Sequence, residues 1–128
     1  MARSKNQVEL MGNLVADPEV RFTSESLAVA KFRLVTDTPV KKDGEWSTEP
    51  EYHYVVAFGR TAELCKEYLS KGSRVDIEGR LKTSSWDDKD SGKKLYRTEI
   101  IVNDDGLYLL DKPSKGDGAN AESAKTKK

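Results

Sequence analysis

A chain of 128 residues has room for one domain with its own hydrophobic core, and none for a catalytic domain beside a regulatory one. Charged residues make up 34% of it, yet 22 Lys and Arg balance 22 Asp and Glu, so a whole-molecule basic field is excluded and any nucleic-acid site has to be a local patch. The single cysteine, Cys65, excludes an internal disulfide framework and a cysteine-based zinc site.

The first five residues read as a flexible arm. From Asn6 onward the dominant period is two. Val8, Leu10, Gly12 and Leu14 alternate with mostly polar neighbours until Asp17-Pro18 breaks the run, which predicts a strand over residues 7–15, with 19–22 as a short continuation. Residues 27–36 alternate again: Ala28, Ala30, Phe32 and Leu34 fall on one face, Lys31 and Arg33 on the other between Val29 and Val35. Residues 37–50 read as a turn-rich loop through Lys42-Asp43-Gly44, and 52–59 as a third strand carrying Tyr52, Tyr54 and Phe58 on one parity. Ala62, Cys65, Tyr68 and Leu69 recur at spacings of three and four, predicting a helix over 61–70 with Thr61 as its cap and Lys71-Gly72 as its stop. Val75, Ile77, Gly79 and Leu81 then alternate with Arg74, Asp76, Glu78, Arg80, Lys82, Ser84 and Trp86, so the fourth strand ends in a basic and aromatic stripe. Residues 87–92 form a hairpin turn, 94–102 the fifth strand, 103–106 a further turn and 107–110 a last apolar piece. Beyond 112 no large apolar residue remains, which predicts a disordered tail over 113–128.

Three strands, a helix and a closing hairpin is the element order of an all-β, five-stranded OB-fold Greek-key barrel over residues 6–112, whose helix plugs one end between the third and fourth strands. No signal-peptide core lies near the start, and no apolar run approaches the roughly 20 residues that span a bilayer. A soluble cytoplasmic protein without membrane partners is expected.

Catalysis has few candidates: His53 is the one histidine, and neither a phosphate loop nor a nucleophile elbow is present. The acidic run at Asp87 places Lys89 at a calcium-ligand position, so it reads as a turn, and no metal or cofactor is expected. An unpaired strand, unlike a duplex, exposes base faces, so a sequence-tolerant binder needs flat aromatic platforms with cations nearby. Tyr52, Phe58 and Trp86 supply the platforms here, with Lys31, Arg33, Arg80 and Lys82 on neighbouring strands and Arg60 and Arg97 expected close by.

The motifs Asn6-Gln7-Val8-Glu9-Leu10-Met11-Gly12-Asn13-Leu14, Asp17-Pro18-Glu19-Val20-Arg21, Tyr52-His53-Tyr54-Val55-Val56-Ala57-Phe58-Gly59, Glu67-Tyr68-Leu69-Ser70-Lys71-Gly72-Ser73 and Ile77-Glu78-Gly79-Arg80-Leu81 together resemble the bacterial-type single-stranded DNA-binding protein family. That resemblance implies a non-enzymatic OB-fold homotetramer that wraps and protects single-stranded DNA during replication, recombination and repair. It implies stacking roles for Phe58 and Trp86, and for Tyr52 where the family has a tryptophan; a loop aromatic missing near Val40 has Trp46 as its candidate replacement. It places Gln7, Val8, Glu9, Leu10 and His53 at a subunit interface. The chain ends Ala124-Lys125-Thr126-Lys127-Lys128 in place of the family's acidic, hydrophobic-tipped tail, which speaks against recruitment of replication and repair proteins. The competing expectations are an OB-fold interaction module of the primosome type and an OB-fold nuclease.

Overall fold

The computed structural model describes residues 3–111. The strands are β1 (Val8–Leu14), β2 (Glu19–Phe22), β3 (Ala28–Lys42), β4 (Glu45–Phe58), β5 (Arg74–Asp87) and β6 (Lys94–Asp111), with one helix, α1 (Gly59–Tyr68), between β4 and β5. They pair in the order β1-β5-β6-β4-β3-β2, and β1 also pairs with β3 at Asn13↔Val35 and Leu14↔Leu34. That second pairing closes β1, β5, β6, β4 and β3 into a five-stranded barrel, the closure being one way a small sheet removes its edges. The short β2 runs along β3 beyond the end of β1, so it prolongs β1 after the Asp17-Pro18 break, as the sequence predicts.

The two-residue alternation sets the core. Ala28, Ala30, Phe32 and Leu34 of β3, Val55 and Ala57 of β4, Val75 and Ile77 of β5, and Ile100 and Val102 of β6 are buried together, while Lys31 and Arg33 are exposed. Ala62 and Cys65 of α1 and Leu69 just after it join the same cluster, so the helix seals the barrel at the end reached by Phe58. Two strand glycines permit close crossings: a Cβ on Gly12 would collide with the Val35 carbonyl, and one on Gly79 with the Ile101 carbonyl.

Four expectations need correction. The loop expected over 37–50 is regular strand: β3 and β4 stay paired to Lys42↔Glu45 and turn through Asp43 (φ 51) and Gly44 (φ 79). Two left-handed residues in a two-residue loop match the strand twist, which is why Asp-Gly favours such hairpins. The extension shows no apolar alternation because it leaves the barrel and has no core to face. Residues 103–106 do not reverse the chain but bend β6, where the register jumps from Ile77↔Leu107 to Gly79↔Val102. Thr61 does not cap α1; it is buried in the first turn, and the cap position is Phe58, which makes no side-chain cap hydrogen bond. Leu81 keeps the parity of Val75 and Ile77 yet is exposed, lying past Gly79, where the pairing of β5 with β1 ends.

The acidic run does form a turn: the Asp88 carboxylate accepts hydrogen bonds from Ser91 N (3.3 Å) and Ser91 Oγ (2.7 Å). These bonds hold the Asp88 carboxyl below the usual range. The tail expected over 113–128, and the first two residues of the expected arm, lie outside the described residues.

Candidate nucleic-acid interface

Register converts the barrel's outer surface into a map. Residues directly opposite each other in a ladder share a face, so Arg33↔Tyr54↔Glu99↔Lys82 forms one row across β3, β4, β6 and β5. The next row toward α1 is Lys31↔Val56↔Ile101↔Arg80, and beyond it Val29 faces Phe58. On the other side lie Val35↔Tyr52 and Ser84↔Arg97, then Trp86↔Leu95. Tyr52, Phe58 and Trp86 therefore share one outer face with Lys31, Arg33, Arg80, Lys82 and Arg97. Their side chains are open to solvent: Tyr52 is 53% exposed, Phe58 42% and Trp86 45%.

Two of these cations, Arg33 and Arg97, are seated on the rings. The Arg97 guanidinium lies 4.5 Å from the Tyr54 ring centre and 5.6 Å from that of Trp86, bridging β4 and β5 across β6. Arg33 stands 5.4 Å from the centre of Tyr52. Glu99, the one carboxylate in these rows, is held by Arg97 at 3.7 Å and accepts a hydrogen bond from Ser84 Oγ at 3.4 Å.

Because β4 and β6 run parallel where they pair, and their pairing stops at Tyr54↔Glu99, the β3–β4 and β5–β6 hairpins leave the same end of the barrel as two arms. Trp46 lies near the tip of the first, on the same parity of β4 as Tyr52 and Phe58, with Lys41 Nζ 5.7 Å from its ring. It is 68% exposed. Trp86 sits near the tip of the second arm. Arg60 stands apart: it is exposed in the first turn of α1, outside the sheet rows. Sequence reasoning left Tyr54 out of the site, although its parity with Tyr52 and Phe58 was the signal that could have found it.

The expected interface residues fall on another side of the barrel. Val8 and Leu10 of β1 pack partly against the core, while Gln7 and Glu9 are exposed. β1 pairs with β5 along its length but with β3 only at residues 13 and 14, so residues 8–12 present an open strand edge. His53 lies on the inner parity of β4, opposite Leu34, with Nε2 2.9 Å from Thr36 Oγ1. Thr36 Cγ2 in turn approaches Gly12, so His53 lies near the point where β1 parts from β3.

Where β1 meets β5, Glu9 faces Glu78 and Met11 faces Asp76. Repulsion from Asp76, with smaller contributions from burial and from Glu78, raises the Glu9 carboxyl above its ordinary value. Glu9, Asp76 and Glu78 thus form a local acidic cluster where β1 meets β5. The buried Cys65 thiol is pushed up to about 12 by loss of hydration, which makes it a poor nucleophile at neutral pH.

Comparison with known proteins covers most of the chain. The profile of the Single-strand binding protein family matches residues 5–108. The chain is 42% identical over 124 residues to "Single-stranded DNA-binding protein 1" of Chlorobaculum tepidum, covering 96% of this chain and 75% of that protein. Its fold superposes on the structure titled "Plasmodium falciparum SSB complex with ssDNA" with a TM-score of 0.79 and 28% identity, covering 87% of this chain and 99% of the other. The OB-fold reading of the barrel agrees with that match.

Proposed function

The chain belongs to the Single-strand binding protein family, and from that premise we propose that the outer face of β3, β4, β6 and β5 is the seat of its single-stranded DNA. The protein binds single-stranded DNA without dependence on sequence and serves replication, recombination and repair. One observation carries the assignment of the face: Tyr52, Tyr54, Phe58 and Trp86 share it with Lys31, Arg33, Arg80, Lys82 and Arg97. Each ring offers a stacking surface worth roughly 1–3 kcal/mol per base, available to any base because every base has a π-face. The cations meet the phosphates, so affinity falls as salt rises and counterions are no longer released at a gain. Trp46 and Lys41 extend the platform along the β3–β4 arm. Arg60, outside the rows, is a peripheral phosphate contact in this reading.

No chemical step is part of this reading; the protein acts by occupancy, in the cytoplasm at the nucleoid. A second copy pairs with the open edge of β1, through Gln7, Val8, Glu9 and Leu10 with His53 nearby, on the way to a homotetramer. An unpaired edge of this kind is a template for another chain.

Gel-shift titration with a labelled oligothymidylate and with a duplex of the same length tests the binding. Tight single-strand binding that weakens steadily with salt, and duplex binding at least about a hundredfold weaker, is the expected result. Equal affinity for the two overturns it.

A further inference from the structure

The cationic face does not stop at Phe58. On its far side β2 continues the rows: Arg21 stands opposite Val29, which itself faces Phe58, and Glu19 stands opposite Lys31. Two strand spacings, about 10 Å, separate the backbone at Arg21 from that at Phe58. A groove of about 400 Å³ runs here, lined by Glu19, Arg21, Phe22, Thr23, Val29 and Lys31. Its apolar wall is Val29 and Phe22, the latter 55% exposed although it carries a large ring. Lys66 of α1, outside the groove's lining, stands with Nζ 5.7 Å from the Phe22 ring centre. Apolar wall, two lining cations and a cation over an exposed ring repeat, on a smaller scale, the chemistry of the main face. The groove lies at the α1 end of the barrel, opposite the end from which the arms leave.

We infer that this β2 groove is a second DNA subsite, which takes the sugar and phosphate of the nucleotides beyond the base held on Phe58, with Arg21 and Lys31 as the phosphate contacts. The inference rests on the reading of the main face as the DNA seat. It gives the strand a direction, from the arms over Tyr54 and Phe58 to β2, and it assigns Arg21 and Phe22 roles that the four-strand face alone does not require. Glu19 is the opposing charge in the groove, so its removal has the opposite sign to that of Arg21.

The test compares an oligothymidylate of about 4 nucleotides with one of about 16, the span of site sizes for one OB fold. With the longer strand, Arg21→Ala is expected to lose about fivefold in affinity at low salt, and its log K against log salt slope to fall in magnitude by about 0.7, the signature of one lost phosphate. With the shorter strand, too short to reach β2 from the arms, it matches the parent. Glu19→Gln is expected to tighten the longer strand and leave the shorter unchanged. Arg21 is exposed on a four-residue strand, and an unchanged Tm checks that both variants fold. Parental binding with no loss in Arg21→Ala on the longer strand, or with equal loss on both, overturns the subsite alone. A parent that binds neither strand overturns the main face along with it.

Discussion

Arg97 sits between two aromatic rings, 4.5 Å from the centre of Tyr54 and 5.6 Å from that of Trp86, and its charge is only partly met by Glu99 at 3.7 Å. A guanidinium so placed holds both rings in line and still offers N–H groups outward, a task its planar fork suits better than an ammonium does. Arg97→Ala is therefore expected to cost more than a phosphate contact, and Arg97→Lys to recover the salt slope but not the full affinity; salt-titrated binding of the three proteins checks this. Trp86→Ala is expected to weaken single-strand binding by about 1–3 kcal/mol, read from the same titrations, with Tm unchanged because the ring packs on no core residue. Glu9 gives a prediction of a different kind. Its folded-state pKa is raised by Asp76, so its contribution favours the fold below the ordinary Glu range and is lost as pH climbs through the raised value. Glu9→Gln is expected to raise Tm at pH 7 and to lose that advantage as pH falls below about 4, where the parent carboxyl is neutral as well. The residues proposed to stack are legible in the sequence because their parity and their cationic neighbours coincide. Arg97's double ring contact was not, since it depends on which strand lies between β4 and β5.

The parallel β4–β6 pairing is the contact that the chain order leaves hidden. Hairpins announce themselves locally, as Asp43-Gly44 and the Asp88–Ser91 hydrogen bonds do, but a pairing between β4 and β6 joins segments far apart in sequence with no turn to mark it. Barrel strands are readable because a core on one side imposes alternation; the β3–β4 arm, wet on both sides, carries none and reads as a loop, whereas the β5–β6 arm reads as strand from its alternation up to Trp86 and its Asp-Ser-Gly turn. Strand glycines mark the closure as well. Gly79→Ala pushes a methyl group into the Ile101 carbonyl and is expected to lower stability by about 1–3 kcal/mol, measured by denaturant unfolding. Gly44→Val has free space around it but a positive φ, so it is expected to fray the β3–β4 arm with little change in barrel Tm; hydrogen exchange on residues 38–49 separates the two.

At the scale of the molecule, a net charge of zero conceals uneven placement. Glu9, Asp76 and Glu78 cluster where β1 meets β5, while Lys31, Arg33, Arg80, Lys82 and Arg97 share the outer face with the rings, a local patch that composition alone does not display. The proposed assembly uses the open edge of β1, which lies next to these carboxylates and away from the rings. Light scattering is expected to return about four times the 14.3 kDa chain mass, and Met11→Pro, which removes a backbone N–H from that edge, to lower it. The barrel and its element order were legible because five strands and one helix each bury a patterned face. The β1 edge proposed for assembly comes only from the family resemblance, because its vacancy is visible only after every other strand has found its partner.

The chain has two tryptophans, and the two arms hold one each, Trp46 near one tip and Trp86 near the other. Indole emission can consequently be assigned arm by arm: Trp46→Phe leaves a reporter on β5 alone, and Trp86→Phe one on β4 alone. Stopped-flow quenching of the two single-indole proteins by oligothymidylate then times when each arm meets the incoming strand, and equal rates mean that both close on it together.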